Sequence, residues 1–124
     1  MNSLKVKFTL SILVSSLIVF GCDDLIVPDI SDEEINFLSP VKDTVNTSEL
    51  FIWLEYNQKD IDKVSIQIVR PSFSQLEDLM YDTLVSSEKS YYALPANDNY
   101  EIRVRGLNSA YQTEYYYKKV YINE

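Results

Sequence analysis

Residues 63–70, Lys63-Val64-Ser65-Ile66-Gln67-Ile68-Val69-Arg70, place Val64, Ile66 and Ile68 on every second position. Successive side chains of a strand point to opposite faces, so this period of about two specifies a half-buried strand and excludes an amphipathic helix. Tyr100-Glu101-Ile102-Arg103-Val104-Arg105 repeats the pattern, with Tyr100, Ile102 and Val104 inward. Shorter β-rich runs occur at Asp82–Val85 and Tyr91–Leu94, and a tyrosine-dense one spans Thr113–Ile122. Asn57-Gln58-Lys59-Asp60, Ser86-Ser87-Glu88-Lys89 and Pro95-Ala96-Asn97-Asp98 supply turns between them. Short strands separated by regular turn signals predict an all-β sandwich. Residues 71–82 stay open. Ser74-Gln75-Leu76-Glu77 fits a helical capping box, with Leu76, Leu79 and Met80 on one face, and a loop followed by a strand from Leu79 fits equally well.

The N-terminus carries a different signal. Lys5 and Lys7 precede Phe8–Phe20, thirteen residues without a charge. Crossing a bilayer takes roughly 20 apolar residues, so this run is too short for a span and reads as a secretory signal. Val19-Phe20-Gly21-Cys22 resembles the lipobox of bacterial lipoproteins, with an aliphatic residue, a small residue before the cut and then cysteine. That resemblance implies diacylglyceryl modification of Cys22 and cleavage before it. Cys22 is the only cysteine, which rules out an internal disulfide framework. Two or three acyl chains hold a protein stably on a membrane. The expected organisation is a signal peptide at 1–21, the lipidated cysteine and an acidic tether at 22–34, and a sandwich at 35–124. The acidic residues after the cysteine resemble surface-export signals of Bacteroidota lipoproteins, which implies the bacterial outer membrane, periplasmic or surface-facing; Asp23 also resembles the inner-membrane retention signal of enteric lipoproteins, so the resemblance leaves the leaflet open.

Composition narrows the chemistry. Residues 22–124 hold nine basic and nineteen acidic side chains, a net charge of −10. Such a surface repels a nucleic-acid backbone and anionic lipid alike. The chain has no histidine, which removes histidine triads and ordinary zinc sites. Gly21 and Gly106 are its two glycines, so no glycine-rich phosphate loop exists. Asp60-x-Asp62 and Asn97-Asp98-Asn99 offer oxygen ligands for calcium, but turns favour the same residues. No cofactor and no metal is expected.

Trp53, Leu94-Pro95 and Tyr100-Glu101-Ile102-Arg103-Val104-Arg105-Gly106-Leu107-Asn108 resemble, in order and spacing, the tryptophan, leucine–proline and tyrosine signatures of the fibronectin type III family. The likeness covers about residues 36–122. It implies an immunoglobulin-like, fibronectin type III-like β-sandwich, with Trp53 packed between the sheets against Val64, Ile66, Ile68, Ile102 and Val104. It also implies that Tyr100 is a tyrosine corner, its hydroxyl bonded to upstream backbone. The chain departs from the family after Asn108, where Ser109-Ala110-Tyr111 replaces the usual glycine, and in its short stretch between Pro40 and Trp53.

Glu49–Glu55 (ELFIWLE) is apolar on both faces. With Phe51 and Trp53 inward, Leu50, Ile52 and Leu54 point outward and need cover from the domain itself, for instance from Leu25-Ile26-Val27, or from a partner. Ile52 and Leu54, with Tyr115, Tyr116 and Tyr117, are therefore the candidate binding surface, and Cys22 is the lipidation site. Consecutive tyrosines in a strand fall on both faces, and their rings suit contact with sugars or proteins. The expected function is a non-catalytic, membrane-anchored binding or scaffold module for a protein or glycan partner. A small carboxylate-dependent glycan-active enzyme and an inhibitor or immunity-type lipoprotein are the alternatives.

Overall fold

The computed structural model of the chain describes residues 26–123. Residues 1–21, expected as a signal peptide, and Cys22 lie outside the described residues. The alternating runs are strands: β1 (Asn36–Ser39), β2 (Thr44–Val45), β3 (Glu49–Glu55), β4 (Lys63–Arg70), β5 (Asp78–Val85), β6 (Lys89–Ala93), β7 (Asp98–Leu107) and β8 (Tyr116–Ile122). No helix occurs among the described residues. One sheet has the order β1-β3-β6 and the other β2-β8-β7-β4-β5. All neighbours pair antiparallel except β2 and β8, which run parallel. The two-layer, all-β sandwich expected from the period-two pattern is what forms. Residues 71–77 are turn and loop, and β5 then begins at Asp78, so the helical alternative for 71–82 is not realised.

The inward face of β3 is the reverse of the expected one. Leu50, Ile52 and Leu54 are 0–1 % exposed and sit in the core with Val64, Ile66, Ile68, Tyr100, Ile102, Val104 and Ile122. Phe51 and Trp53 lie half-buried on the opposite face of β3. Ile52 and Leu54 are therefore not part of any exposed surface, and Trp53 does not fill the space between the sheets. The reason is on the strand itself. Phe51 and Trp53 share their face with Glu49 and Glu55, both exposed, whereas the other face is aliphatic throughout. Turning Trp53 inward would carry two carboxylates toward the core layer, where an unpaired charge costs far more than an aromatic ring gains.

The described part of the acidic segment, from Pro28 on, is docked on the sandwich. Ile30 is fully buried, Ile35 nearly so, and both join the core cluster. Glu33 N–H donates to Ile30 O at 2.9 Å, closing a turn. Asn108 Nδ2 donates to Pro28 O at 2.8 Å and Tyr116 Oη to Glu33 O at 3.1 Å. Ile26 remains 73 % exposed, so Ile30 and Ile35, not Ile26, are the apolar residues by which this segment enters the core. The folded unit thus starts before residue 35. The charges of 29–34 masked this, because a single apolar residue on a turn leaves no periodic signal.

Tyr100 behaves as a corner residue. Its ring is 1 % exposed and its hydroxyl donates to Pro95 O at 2.6 Å. Tyr100→Phe leaves that carbonyl unpaired and lowers the unfolding free energy by about 1–3 kcal/mol. Tyr91→Phe, at a ring 61 % exposed with no such bond, changes it by under about 0.5 kcal/mol. Equal losses in urea titrations would remove the corner role. Burial, and then the nearby Asp98 carboxylate, push the Tyr100 hydroxyl pKa up. The neutral phenol is thus favoured in the fold. Its contribution is complete below the ordinary tyrosine pKa of about 10 and is lost as pH rises through the raised value. Between the ordinary and the raised value, Tyr100→Phe is accordingly expected to lose stability less steeply than the parent.

Candidate functional site

Strand alternation leaves two outward sheet faces, and both carry aromatic rings. On the smaller sheet, Phe51 stacks on Tyr91 across β3 and β6 at 4.9 Å between centroids, and Lys89 Nζ lies 4.7 Å over the Trp53 ring. This face is a paired, cross-strand aromatic cover of the kind that stabilises an exposed sheet.

The larger sheet carries a more specific arrangement. Arg103 and Arg105 project from β7 on the face opposite Tyr100, Ile102 and Val104. Arg103 pairs in register with Gln67 of β4 and Tyr117 of β8, in the middle of the sheet. The Arg103 guanidinium carbon is 4.3 Å from the Phe73 ring centroid and 4.2 Å from that of Tyr115. Arg105 lies 4.0 Å from the same Tyr115 ring. Phe73, Arg103, Tyr115 and Arg105 therefore alternate ring and cation in one column.

The four members come from three elements: the β4–β5 loop, β7 and the segment before β8. Phe73 comes from the β4–β5 loop, which folds back over the sheet because Phe73 N–H donates to Glu101 Oε1 at 2.8 Å. Glu77 N–H donates to Arg70 O at 2.9 Å and Gln75 N–H to Ser72 Oγ at 3.2 Å, so the loop is held at both ends. Arg70 anchors the loop's base through ion pairs with Asp78 and, at 3.1 Å, with Asp98. Tyr115 precedes β8 beside Thr113, whose hydroxyl accepts from Gly106 N–H at 2.9 Å. The guanidinium planes are set by Nε. Arg103 Nε donates to Gln67 Oε1 at 2.6 Å and Arg105 Nε to Thr113 O at 3.3 Å. Among the described residues neither arginine is in an ion pair.

The three consecutive tyrosines separate as a strand requires. Tyr115 stacks in the column, Tyr117 is 52 % exposed with its ring 6.0 Å from Phe73, and Tyr116 packs against the core. Burial pushes the Tyr116 hydroxyl pKa up, with Glu114 and Glu34 adding to it. Tyr115 and Tyr117 of the candidate surface are thus brought together, Tyr116 is turned inward, and Ile52 and Leu54 belong to the core. Arg103, Arg105 and Phe73 were missed. The alternation of Arg103 and Arg105 about Val104 did mark them as outward neighbours, but nothing local brings Phe73 across from its loop.

Two of the three carboxylates considered for calcium, Asp60 and Asp98, have protein partners. Asp60 Oδ2 accepts from Asn57 Nδ2 at 3.1 Å and Asp98 pairs with Arg70. Among the described residues no group of three acidic, histidine or cysteine side chains is placed to hold a metal ion.

No family model matches the chain, and no curated protein matches it. Among solved structures, it is similar to an engineered protein whose crystal structure was determined at 1.98 Å. The TM-score is 0.54 and the identity 11 %, over 74 % of this chain. The matched part spans only 20 % of that protein, and at this identity the likeness bears on the fold alone: two β-sheets packed as a sandwich.

Proposed function

We propose that the protein is a lipid-anchored, non-catalytic binding module with a fibronectin type III-like sandwich, and that its ligand-facing surface is the outer face of the five-stranded sheet. The observation that carries this reading is the Phe73–Arg103–Tyr115–Arg105 column. Two cations that have no carboxylate partner among the described residues, in a chain of net charge −10 from residue 22 on, are held against rings on an open sheet face, Arg103 by two and Arg105 by one. Rigid aromatic and arginine side chains of this kind are the groups that dominate recognition surfaces. The strand order and the Tyr100–Pro95 hydrogen bond support the family reading; the outward Trp53 departs from it.

The anchor and the surface are tested separately. Cys22→Ser is expected to move the protein from the membrane fraction to the soluble fraction, or to leave an unprocessed precursor. An unchanged distribution, with no acyl label entering the parent, rules out the anchor. A glycan array and a cell-surface crosslinking screen with the full chain, each repeated with Arg103→Gln, test the surface. Ligands retained equally by the parent and the variant place binding elsewhere, and an empty result from both screens defeats the binding-module reading.

A further inference from the structure

Building on that reading, we propose that the terminal nitrogens of Arg103 and Arg105 receive the carboxylate of an acidic saccharide, with the exposed ring of Tyr117 supporting the sugar.

The argument starts from the donors. A guanidinium carries five N–H groups in a fixed plane, and its forked edge matches a carboxylate. In Arg103 and Arg105 the hydrogen bond to protein leaves from Nε, so the Nη edges are uncommitted among the described residues. The Arg103 guanidinium carbon lies within 4.3 Å of the Phe73 and Tyr115 ring centroids, so these rings narrow the approach to its nitrogens. Stacking and the Nε bonds fix both groups in advance, so little side-chain freedom is left to lose when a ligand arrives. Both residues are partly exposed, so the approach is open to solvent.

The kind of anion follows from charge and from the rings. A nucleic acid requires several cations to neutralise successive phosphates, and two guanidiniums in an acidic chain cannot supply them. The fit is to a sparsely charged ligand with an isolated carboxylate. Beside the column stands Tyr117, 52 % exposed, its ring 6.3 Å from Tyr115 and 6.0 Å from Phe73. A flat ring next to a carboxylate site suits a pyranose, whose C–H face and carboxylate are held rigidly together. An acidic peptide side chain offers the carboxylate without such a plate.

The test is calorimetric titration of the full chain in detergent with three probes. They are a glucuronyl-glucose disaccharide, its uncharged methyl ester and an end-blocked triglutamate peptide. The disaccharide is expected to bind and the ester to bind at least about tenfold more weakly, since a charge-assisted pair is lost. Arg103→Gln and Arg105→Gln should each weaken the disaccharide about tenfold, while Lys59→Gln, an equal charge change in a remote turn, leaves it unchanged. Should Arg103→Gln unfold, Arg105→Gln, whose guanidinium rests on one ring, decides the matter. Tyr117→Ala should weaken the disaccharide and leave triglutamate as it was. Equal binding of disaccharide and ester overturns the carboxylate inference and leaves the binding-module reading standing. Binding of triglutamate without the disaccharide overturns the saccharide and points to an acidic protein partner. No binding by any probe at millimolar concentration overturns the inference, and the array and crosslinking screens then decide the wider reading alone.

Discussion

Ile52→Ala is expected to lower the unfolding free energy by about 2–5 kcal/mol, and Trp53→Ala by clearly less. Ile52 is 0 % exposed at the centre of β3 and faces the other sheet. Removing its branched side chain loses the transfer free energy and leaves a cavity that neighbouring Leu50 and Leu54, themselves fixed by the ladder, cannot close. Trp53 is the larger residue, but its ring lies on the outward face of β3 under Lys89, where water replaces most of what is lost. A domain of this size has a total stability of roughly 5–15 kcal/mol, so the alanine at 52 is a large fraction of it. Ile52→Lys goes further: it puts an ammonium into an apolar layer with no partner, and no folded protein is expected at neutral pH. Urea unfolding followed by far-UV circular dichroism gives the comparison without relying on tryptophan emission. A greater loss for Trp53→Ala than for Ile52→Ala would invert the assigned facing of β3.

Gly106→Ala should cost about 1–3 kcal/mol, although alanine is normally harmless in a strand of ordinary backbone geometry. A Cβ at Gly106 would stand 2.9 Å from Ile61 Cδ1, 3.0 Å from Ile61 Cγ2 and 3.2 Å from Thr113 Cγ2. Ile61 and Thr113 are each 2 % exposed, so neither can swing aside into solvent. Thr113 is also tied to the glycine by two bonds: its hydroxyl accepts from Gly106 N–H, and its own N–H donates to Gly106 O, both at 2.9 Å. Displacing it shifts the segment that sets Tyr115 on the two arginines. Ile61→Val deletes the Cδ1 methyl, so the double variant should cost less than the two single changes together. Strict additivity in thermal and urea unfolding would show that the crowding at Gly106 is absorbed elsewhere.

The fold class was legible because two runs, 63–70 and 100–105, alternate cleanly enough to admit one facing only. They became neighbouring strands with Val64, Ile66, Ile68, Ile102 and Val104 in the core, as the alternation requires. The facing of 49–55 was legible too, in the two glutamates that bracket Phe51 and Trp53, but the likeness of Trp53 to the family's inter-sheet tryptophan points the other way. A family likeness is a poor guide to the inside when charged neighbours two positions away must follow the same face.

What the sequence determined by itself is therefore the set of constraints carried by near neighbours. These are the strand periods, the turns, the surplus of acid, the lack of histidine, and the alternation that sends Tyr115 and Tyr117 to one side and Tyr116 to the other. Tertiary structure alone decided whatever depends on separate segments meeting. It buried Ile30 against a sheet whose strands begin later in the chain, fitted Gly106 under Ile61, and brought Phe73 from one loop and Tyr115 from another onto Arg103. Such contacts depend on where two strands end in space and which way a loop returns, and loop closure costs little more for a distant partner than for a near one. No local pattern records that choice.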